Sequence, residues 1–183
     1  MNKQRIVAIT FFSLMGLVSV TAGSLNKKEK IHQQEAKSTI EAKSGSEVEG
    51  EIKLWATKEG VKIKGLIKNL DPNSKHGFHV HEQGDCSGKG AKSAGGHFNP
   101  DGHKHGSRQH KLSHLGDLGN IEADKKGEAS FELFVKGANL DQIKRSHSFM
   151  ARAFIIHKQK DDISSQPSGN AGMRIGCGVI GLP

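Results

Sequence analysis

The sequence predicts an all-β protein, in which short strands with one buried face are joined by glycine-rich turns. The chain has 183 residues, of which 34% are hydrophobic and 23 are glycine. That composition favours strands and turns over a helical bundle. In several segments apolar residues also recur at every second position, which is the period of a strand with one face in a core. A chain of this length can form one domain with a tail.

The alternating segments can be placed in order along the chain. Residues 48–56 and 61–67 alternate, and Lys58-Glu59-Gly60 between them predicts a hairpin turn. Residues 129–135 alternate again, and the apolar run 150–157 predicts a central strand. A short strand is predicted over 177–182. Residues 82–119 have no periodicity and are rich in Gly, His, Asp and Asn, which is typical of a long functional loop.

The first 22 residues predict a cleaved signal peptide. Lys3 and Arg5 precede an almost entirely apolar stretch, and Val20-Thr21-Ala22 offers small residues for cleavage. The alternative is an uncleaved membrane anchor, although the Ser, Thr and Gly content of the stretch is high for a membrane span. Cleavage predicts an exported protein, periplasmic or extracellular, with no stable membrane insertion.

The residues after the signal divide into two parts. Residues 23–35 are polar and charged, which predicts a solvated tether. Residues 36–183 form the predicted folded domain. Both cysteines, Cys86 and Cys177, lie in it. An even number of cysteines in an oxidising compartment favours a disulfide, and two buried free thiols are the alternative.

The net charge of +8 falls by two if Lys3 and Arg5 leave with the signal. A basic surface suits nucleic acid, an anionic membrane or an anionic substrate. The basic residues are scattered, and the chain has no Tyr and one Trp. Platforms on which bases could stack are therefore scarce, and the sequence argues against nucleic acid as a partner. It leaves a homodimer open.

The eleven histidines are the feature that points to chemistry. In Phe78-His79-Val80-His81 the strand period sends both imidazoles to the face opposite Phe78 and Val80, where they can hold one metal. The loop adds three imidazoles and one carboxylate, a composition that suits tetrahedral Zn²⁺: His97, His105, His114 and Asp117. His157 ends the predicted central strand. An imidazole cluster with an open position suits redox-active copper.

Six ordered motifs within residues 48–181 resemble the copper/zinc superoxide dismutases. They are GFHVHEQGDCSG, SAGGHFNP, KHG, HLGDLGN, FIIHKQKDD and GNAGMRIGCGVIG. The resemblance implies a Greek-key β-barrel of about eight antiparallel strands with long metal-binding loops, an architecture related to the immunoglobulin-like sandwich. It also implies the disulfide between Cys86 and Cys177.

The motifs assign a role to each site residue. Copper would be held by His79, His81, His97 and His157, and zinc by His97, His105, His114 and Asp117. His97 would bridge both metals and supply a proton to the peroxide product. Asp161 would link His79 and His105. Arg174 would attract and orient superoxide. The loop from Ile163 to Ser168 departs from the family pattern, because it is shorter than in many members and uncharged. We therefore expect Arg174 to carry an unusually large share of the steering.

The remaining basic residues are expected to have no role at the metals. His32, His76, His110 and His147 are predicted to be solvated at the surface. Lys158 and Lys160 are predicted to form a solvated rim, with steering of the anion as the alternative. His103 forms a second His-x-His with His105 and could compete for zinc. The implied activity is dismutation of superoxide to O₂ and H₂O₂ as an antioxidant defence. The alternatives are a copper- and zinc-binding protein of the same fold without turnover, and a His-rich anchor for anionic surfaces.

Overall fold

The computed structural model describes residues 34–110, 112–143 and 145–183. The predicted signal peptide, His32 and most of the predicted tether lie outside these ranges. The described part of the chain contains two short 3₁₀ turns, Lys89–Ala94 and Arg145–His147. It also contains eight strands: β1 (Glu35–Ala42), β2 (Glu49–Ala56), β3 (Gly60–Lys68), β4 (Lys75–His81), β5 (Asp117–Glu122), β6 (Ala129–Lys136), β7 (Ala153–His157) and β8 (Arg174–Val179).

The strands form one antiparallel sheet in the order β5-β4-β7-β8-β1-β2-β3-β6. The neighbours β4–β7, β8–β1 and β3–β6 are not consecutive in sequence, which is the signature of a Greek key. The end strands β5 and β6 contact each other and nearly close the barrel. The predicted all-β Greek-key barrel is therefore confirmed. The two long connections on its outer face are residues 82–116 and 158–173.

The hairpin of β2 and β3 follows the predicted alternation. Ile52 pairs with Gly65 and Leu54 with Ile63, and the Ile52, Leu54 and Ile63 side chains are fully buried. Gly60 was predicted in the turn but is the first residue of β3, where it pairs with Lys136 of β6.

Two strands begin three residues away from their predicted first residues. β7 begins at Ala153 rather than Met150, because Ala151 has φ of 57° and turns the chain before the strand. β8 begins at Arg174 rather than Cys177. The strands β1 and β5 were not predicted as strands at all.

The barrel has a large apolar interior and a small apolar cluster on its outer face. Inside, Phe78 stacks on Phe154 with ring centroids 5.1 Å apart. Outside, Ala91 and Ala94 pack on Ile155 of β7. The Cys86–Cys177 disulfide lies beside this outer cluster, with its Cα atoms 5.8 Å apart. It confirms the predicted pairing and ties the 82–116 connection to β8. Among the described residues no helix has the length and apolar content needed to cross a membrane.

Candidate metal centre

Strand β4 directs two histidines to the outer face of the barrel. Phe78 and Val80 are fully buried inside, and His79 and His81 alternate with them as the period of two predicts. Both histidines are nevertheless almost completely shielded from solvent. The two long connections cover this face and contribute most of the other residues of the centre. The remaining two come from strand ends, His157 from β7 and Asp117 from β5.

Four imidazoles meet on this face, with one ring nitrogen of each within 4.8 Å of the others: His79, His81, His97 and His157. His97 belongs to the 82–116 connection and is aligned by an antiparallel bridge to His81. The next residue, Phe98, donates its amide to the Val80 carbonyl over 2.8 Å. His157 is the last residue of β7, next to β4 in the sheet.

Hydrogen bonds fix the orientation of these rings. His81 Nδ1 donates to the Gly95 carbonyl over 2.9 Å, and His157 Nδ1 donates to the Gly172 carbonyl over 3.0 Å. The opposite nitrogens, His81 Nε2 and His157 Nε2, are buried without a hydrogen-bond partner, as are His79 Nδ1 and His97 Nε2. Four buried acceptors converging without partners are costly unless something binds them, and a metal ion satisfies that demand.

The protonation of the rings also suits a metal. Burial lowers the pKa of His79 to about 4 and that of His157 to about 3. Burial also holds the pKa of His81 well below its ordinary value. These imidazoles are therefore neutral at pH 7, with a lone pair available for coordination. The group fits a copper ion.

A second group surrounds Asp117 at the start of β5. Its Oδ1 atom lies 2.7 Å from Nδ1 of His97, 3.0 Å from Nδ1 of His105 and 3.1 Å from Nδ1 of His114. Burial would raise the pKa of Asp117, but hydrogen bonds from His105 and His97 outweigh it and hold the pKa below its usual range. Three nitrogens and one ionised oxygen fit tetrahedral zinc.

His97 is common to both groups. Its Nδ1 faces Asp117 and its Nε2 is one of the four unpartnered nitrogens. One imidazole thus offers a different nitrogen to each group.

Asp161 connects the two groups by contacting one histidine of each. Its Oδ2 lies 2.8 Å from Nε2 of His79 and its Oδ1 lies 3.0 Å from Nε2 of His105. Gly169 packs directly against it: a Cβ there would lie 1.9 Å from Asp161 Oδ1, and its φ is +68°. Sequence reasoning missed Gly169, although it opens the GNAG motif.

An open cavity of about 430 Å³ leads to the histidines and is lined by Arg174, His81, His97 and His157. The guanidinium of Arg174 donates to the carbonyls of Ala91 and Gly95, each over 2.7 Å. Arg174 is therefore fixed beside the metal groups rather than free in solvent.

Among the histidines given no role at the metals, the prediction for His76 is wrong. It is buried, and both of its ring nitrogens have partners inside the protein. Its Nδ1 donates to the His157 carbonyl over 2.8 Å, and its Nε2 lies 2.6 Å from Ser74 Oγ. His110 is exposed as predicted, and His147 is partly exposed beside Asp101. His103 lies in neither metal group; its Nδ1 is 3.2 Å from the Ser113 carbonyl.

The fold and these groups define a class: a Greek-key β-barrel protein with two adjoining side-chain groups that are suited to metal ions and share one imidazole. The family model described as copper/zinc superoxide dismutase (SODC) matches residues 48–180. The chain belongs to the copper/zinc superoxide dismutase family. It is a superoxide dismutase with copper and zinc as cofactors.

Sequence comparison with individual proteins supports membership of this family. Cu-Zn superoxide dismutase 2 of Aquifex aeolicus (strain VF5) is 40% identical over 167 residues, 90% of this chain and 98% of its own length. An extracellular Cu-Zn superoxide dismutase of Haemonchus contortus is 40% identical over 139 residues, 73% of each chain. The crystal structure of the clock protein EA4 superposes with a TM-score of 0.73 and 34% identity, covering 82% of this chain and 96% of that one.

Proposed function

We propose that the four-imidazole group holds the copper ion of this superoxide dismutase and that the group around Asp117 holds its zinc ion. The copper ligands are His79, His81, His97 and His157, and the zinc ligands are His97, His105, His114 and Asp117. The observation that carries the proposal is the set of four buried, unpartnered nitrogens beside three imidazoles that share one carboxylate oxygen.

When bound, copper supplies the redox chemistry, by which one superoxide is oxidised to O₂ and a second is reduced to H₂O₂. The chain contributes binding, orientation and protons. Arg174 attracts the anion into the cavity through its positive charge. It orients the anion because two carbonyls hold its guanidinium beside His81 and His157. His97 would hold one of the two protons of the peroxide product on Nε2 only when that nitrogen is free of copper, while its Nδ1 remains beside Asp117. Asp161 fixes the orientation of the His79 and His105 rings.

Metal analysis combined with an activity assay tests this proposal. Purified protein is expected to contain one copper and one zinc and to dismutate superoxide. Both metals without turnover would support the alternative of a metal-binding protein on this fold. Neither metal would favour the surface anchor and refute the site.

We propose further that the protein is exported, to the periplasm or the extracellular space. The relatives of Haemonchus contortus and Caenorhabditis elegans are named extracellular superoxide dismutases. The Cys86–Cys177 disulfide also suits an oxidising compartment. We propose that the mature chain begins near residue 23 without membrane insertion and that two chains can associate. N-terminal sequencing of the exported protein and light scattering on a size-exclusion column test these points.

A further inference from the structure

The middle of the 158–173 connection, from Asp161 to Gly169, contacts the backbone of a proposed zinc ligand through one side chain. Gln166 Oε1 accepts a hydrogen bond from the His105 amide over 2.9 Å. Gln166 Nε2 donates to the His105 carbonyl, also over 2.9 Å. One primary amide therefore satisfies both polar groups of the His105 backbone, as a neighbouring strand would.

The connection that carries Gln166 is held together by its own hydrogen bonds. Asp162 Oδ1 accepts from the amides of Ser164 and Ser165 over 3.0 and 2.8 Å. Gly169 donates to the Ser165 carbonyl over 2.7 Å, and Asp162 donates to the Gly169 carbonyl over 2.9 Å. Gln166 is exposed, but these bonds close the turn on which it sits and limit the positions its amide can reach.

His105, the residue that Gln166 holds, has two partners that it can reach only from one position. The His105 imidazole reaches Asp117 through Nδ1 and Asp161 through Nε2, each over 3.0 Å. A small shift of the His105 backbone would break one of these contacts. The residues directly after Gln166, Pro167 and Ser168, line the cavity that contains Arg174, so the same amide also ties the wall of that cavity to His105.

We infer that Gln166 is a positioning residue for zinc: it fixes the His105 backbone so that the imidazole reaches the ion. This inference rests on the proposed zinc site. Residues that orient a ligand through hydrogen bonds typically change metal affinity by about 10- to 100-fold. Gln166 bonds to the backbone rather than to the ring, and we expect the lower end of that range.

The experiment compares Gln166→Ala and Gln166→Glu with wild type and with Gln109→Ala, an exposed glutamine in the connection that carries His105. Zinc release from the loaded protein to a chromophoric chelator is the first readout. We expect release to be about tenfold faster in both Gln166 variants and unchanged in Gln109→Ala. The visible spectrum of protein with Co²⁺ in the zinc site should shift in the same two variants.

Hydrogen exchange of the His105 amide in the metal-free protein separates a clamp from a general loss of stability. Glutamate is close in size to glutamine and can accept from the His105 amide, but it cannot donate to the carbonyl. The amide should therefore stay protected in Gln166→Glu and lose protection in Gln166→Ala. Zinc release at the wild-type rate in both variants would overturn the inference. A wild-type protein that binds no zinc would refute the zinc site itself, and the inference with it.

Discussion

The Nδ1 atom of His97 lies 2.7 Å from Oδ1 of Asp117, and its Nε2 atom lies buried without a partner among three other imidazoles. This one contact orients the ring that the two proposed metal sites share. A substitution at His97 would therefore damage both sites at once and could not show which ligands belong to which ion. Residues that belong to one group only are the informative positions.

We expect His157→Ala to abolish dismutation and copper binding while zinc stays bound. His157 contributes its unpartnered Nε2 to the copper group and takes no part in the group around Asp117. Metal content of the purified variant, together with its activity, checks this. His110→Ala, at an exposed histidine, is the matched control and should keep both metals. If zinc and copper were lost in equal amounts, the division of ligands would be wrong.

The sequence predicted best where the side chains of a strand alternate between large apolar and charged residues. Ile52, Leu54 and Ile63 have that contrast, and their strands formed as predicted. The buried residues of β1 are Ala36, Ser38 and Ile40, two of them small or polar, and so the hydrophobic pattern was too weak to predict the strand.

The disulfide should contribute strongly to stability. It joins residues 91 apart in sequence, and the chain-entropy model gives about 4–5 kcal/mol for a loop of that length. We expect the Cys86→Ser, Cys177→Ser double variant to lose roughly this much free energy of unfolding, measured by urea denaturation of the metal-free protein at one pH. A loss of less than about 1 kcal/mol would contradict this prediction.

Zinc affinity should depend on pH through His105. Burial alone would lower the pKa of His105, but its hydrogen bonds to Asp117 and Asp161 raise it to about 9 in the metal-free protein. Below that pH zinc must displace a proton from His105. The apparent zinc affinity should therefore rise about tenfold per pH unit from about 7 and level off near 9.

Two comparisons test the origin of that pH dependence. Burial keeps His79 and His157 neutral down to about pH 4 and 3, so these ligands should add no pH dependence to copper binding over the same range. Asp161→Asn removes one negative partner of His105 and should flatten the zinc curve. Competition titrations with a chelator of known affinity measure both. A zinc affinity that is flat between about pH 7 and 9 would show that His105 is not protonated there.

The residues of the two proposed metal sites could be predicted from motifs because each lies in a short, ordered segment of sequence. The contacts of Gln166 with His105, and of His76 with His157, join residues 61 and 81 apart in sequence. Such contacts depend on how the two connections fold over the barrel face. No local pattern marked Gln166, and His76 could not be distinguished from an exposed histidine by its neighbours.

The last prediction concerns Arg174 and the capture of superoxide. Among the described residues that line the 430 Å³ cavity, Arg174 is the only lysine or arginine. The nearby connection from Ile163 to Ser168 has no charge, and Lys158 is paired with Asp71 over 2.6 Å. Arg174→Glu should therefore lower kcat/KM strongly, because it reverses the charge at the entrance. Arg174→Lys should lower it much less, since the charge stays although the guanidinium bonds to Ala91 and Gly95 are lost.

Salt provides the decisive measurement of steering by Arg174. Attraction between exposed charges is screened beyond about 8 Å at physiological ionic strength, so the wild-type rate should fall as salt is added. The rate of Arg174→Glu should fall much less or rise, while its copper and zinc contents stay at wild-type values because Arg174 is in neither metal group. Lys136→Glu is the control, a charge reversal on β6 away from the cavity lining, and should keep the wild-type salt dependence. Equal rates for wild type and Arg174→Glu at low salt and full copper occupancy would show that the other basic residues, and not Arg174, guide the anion.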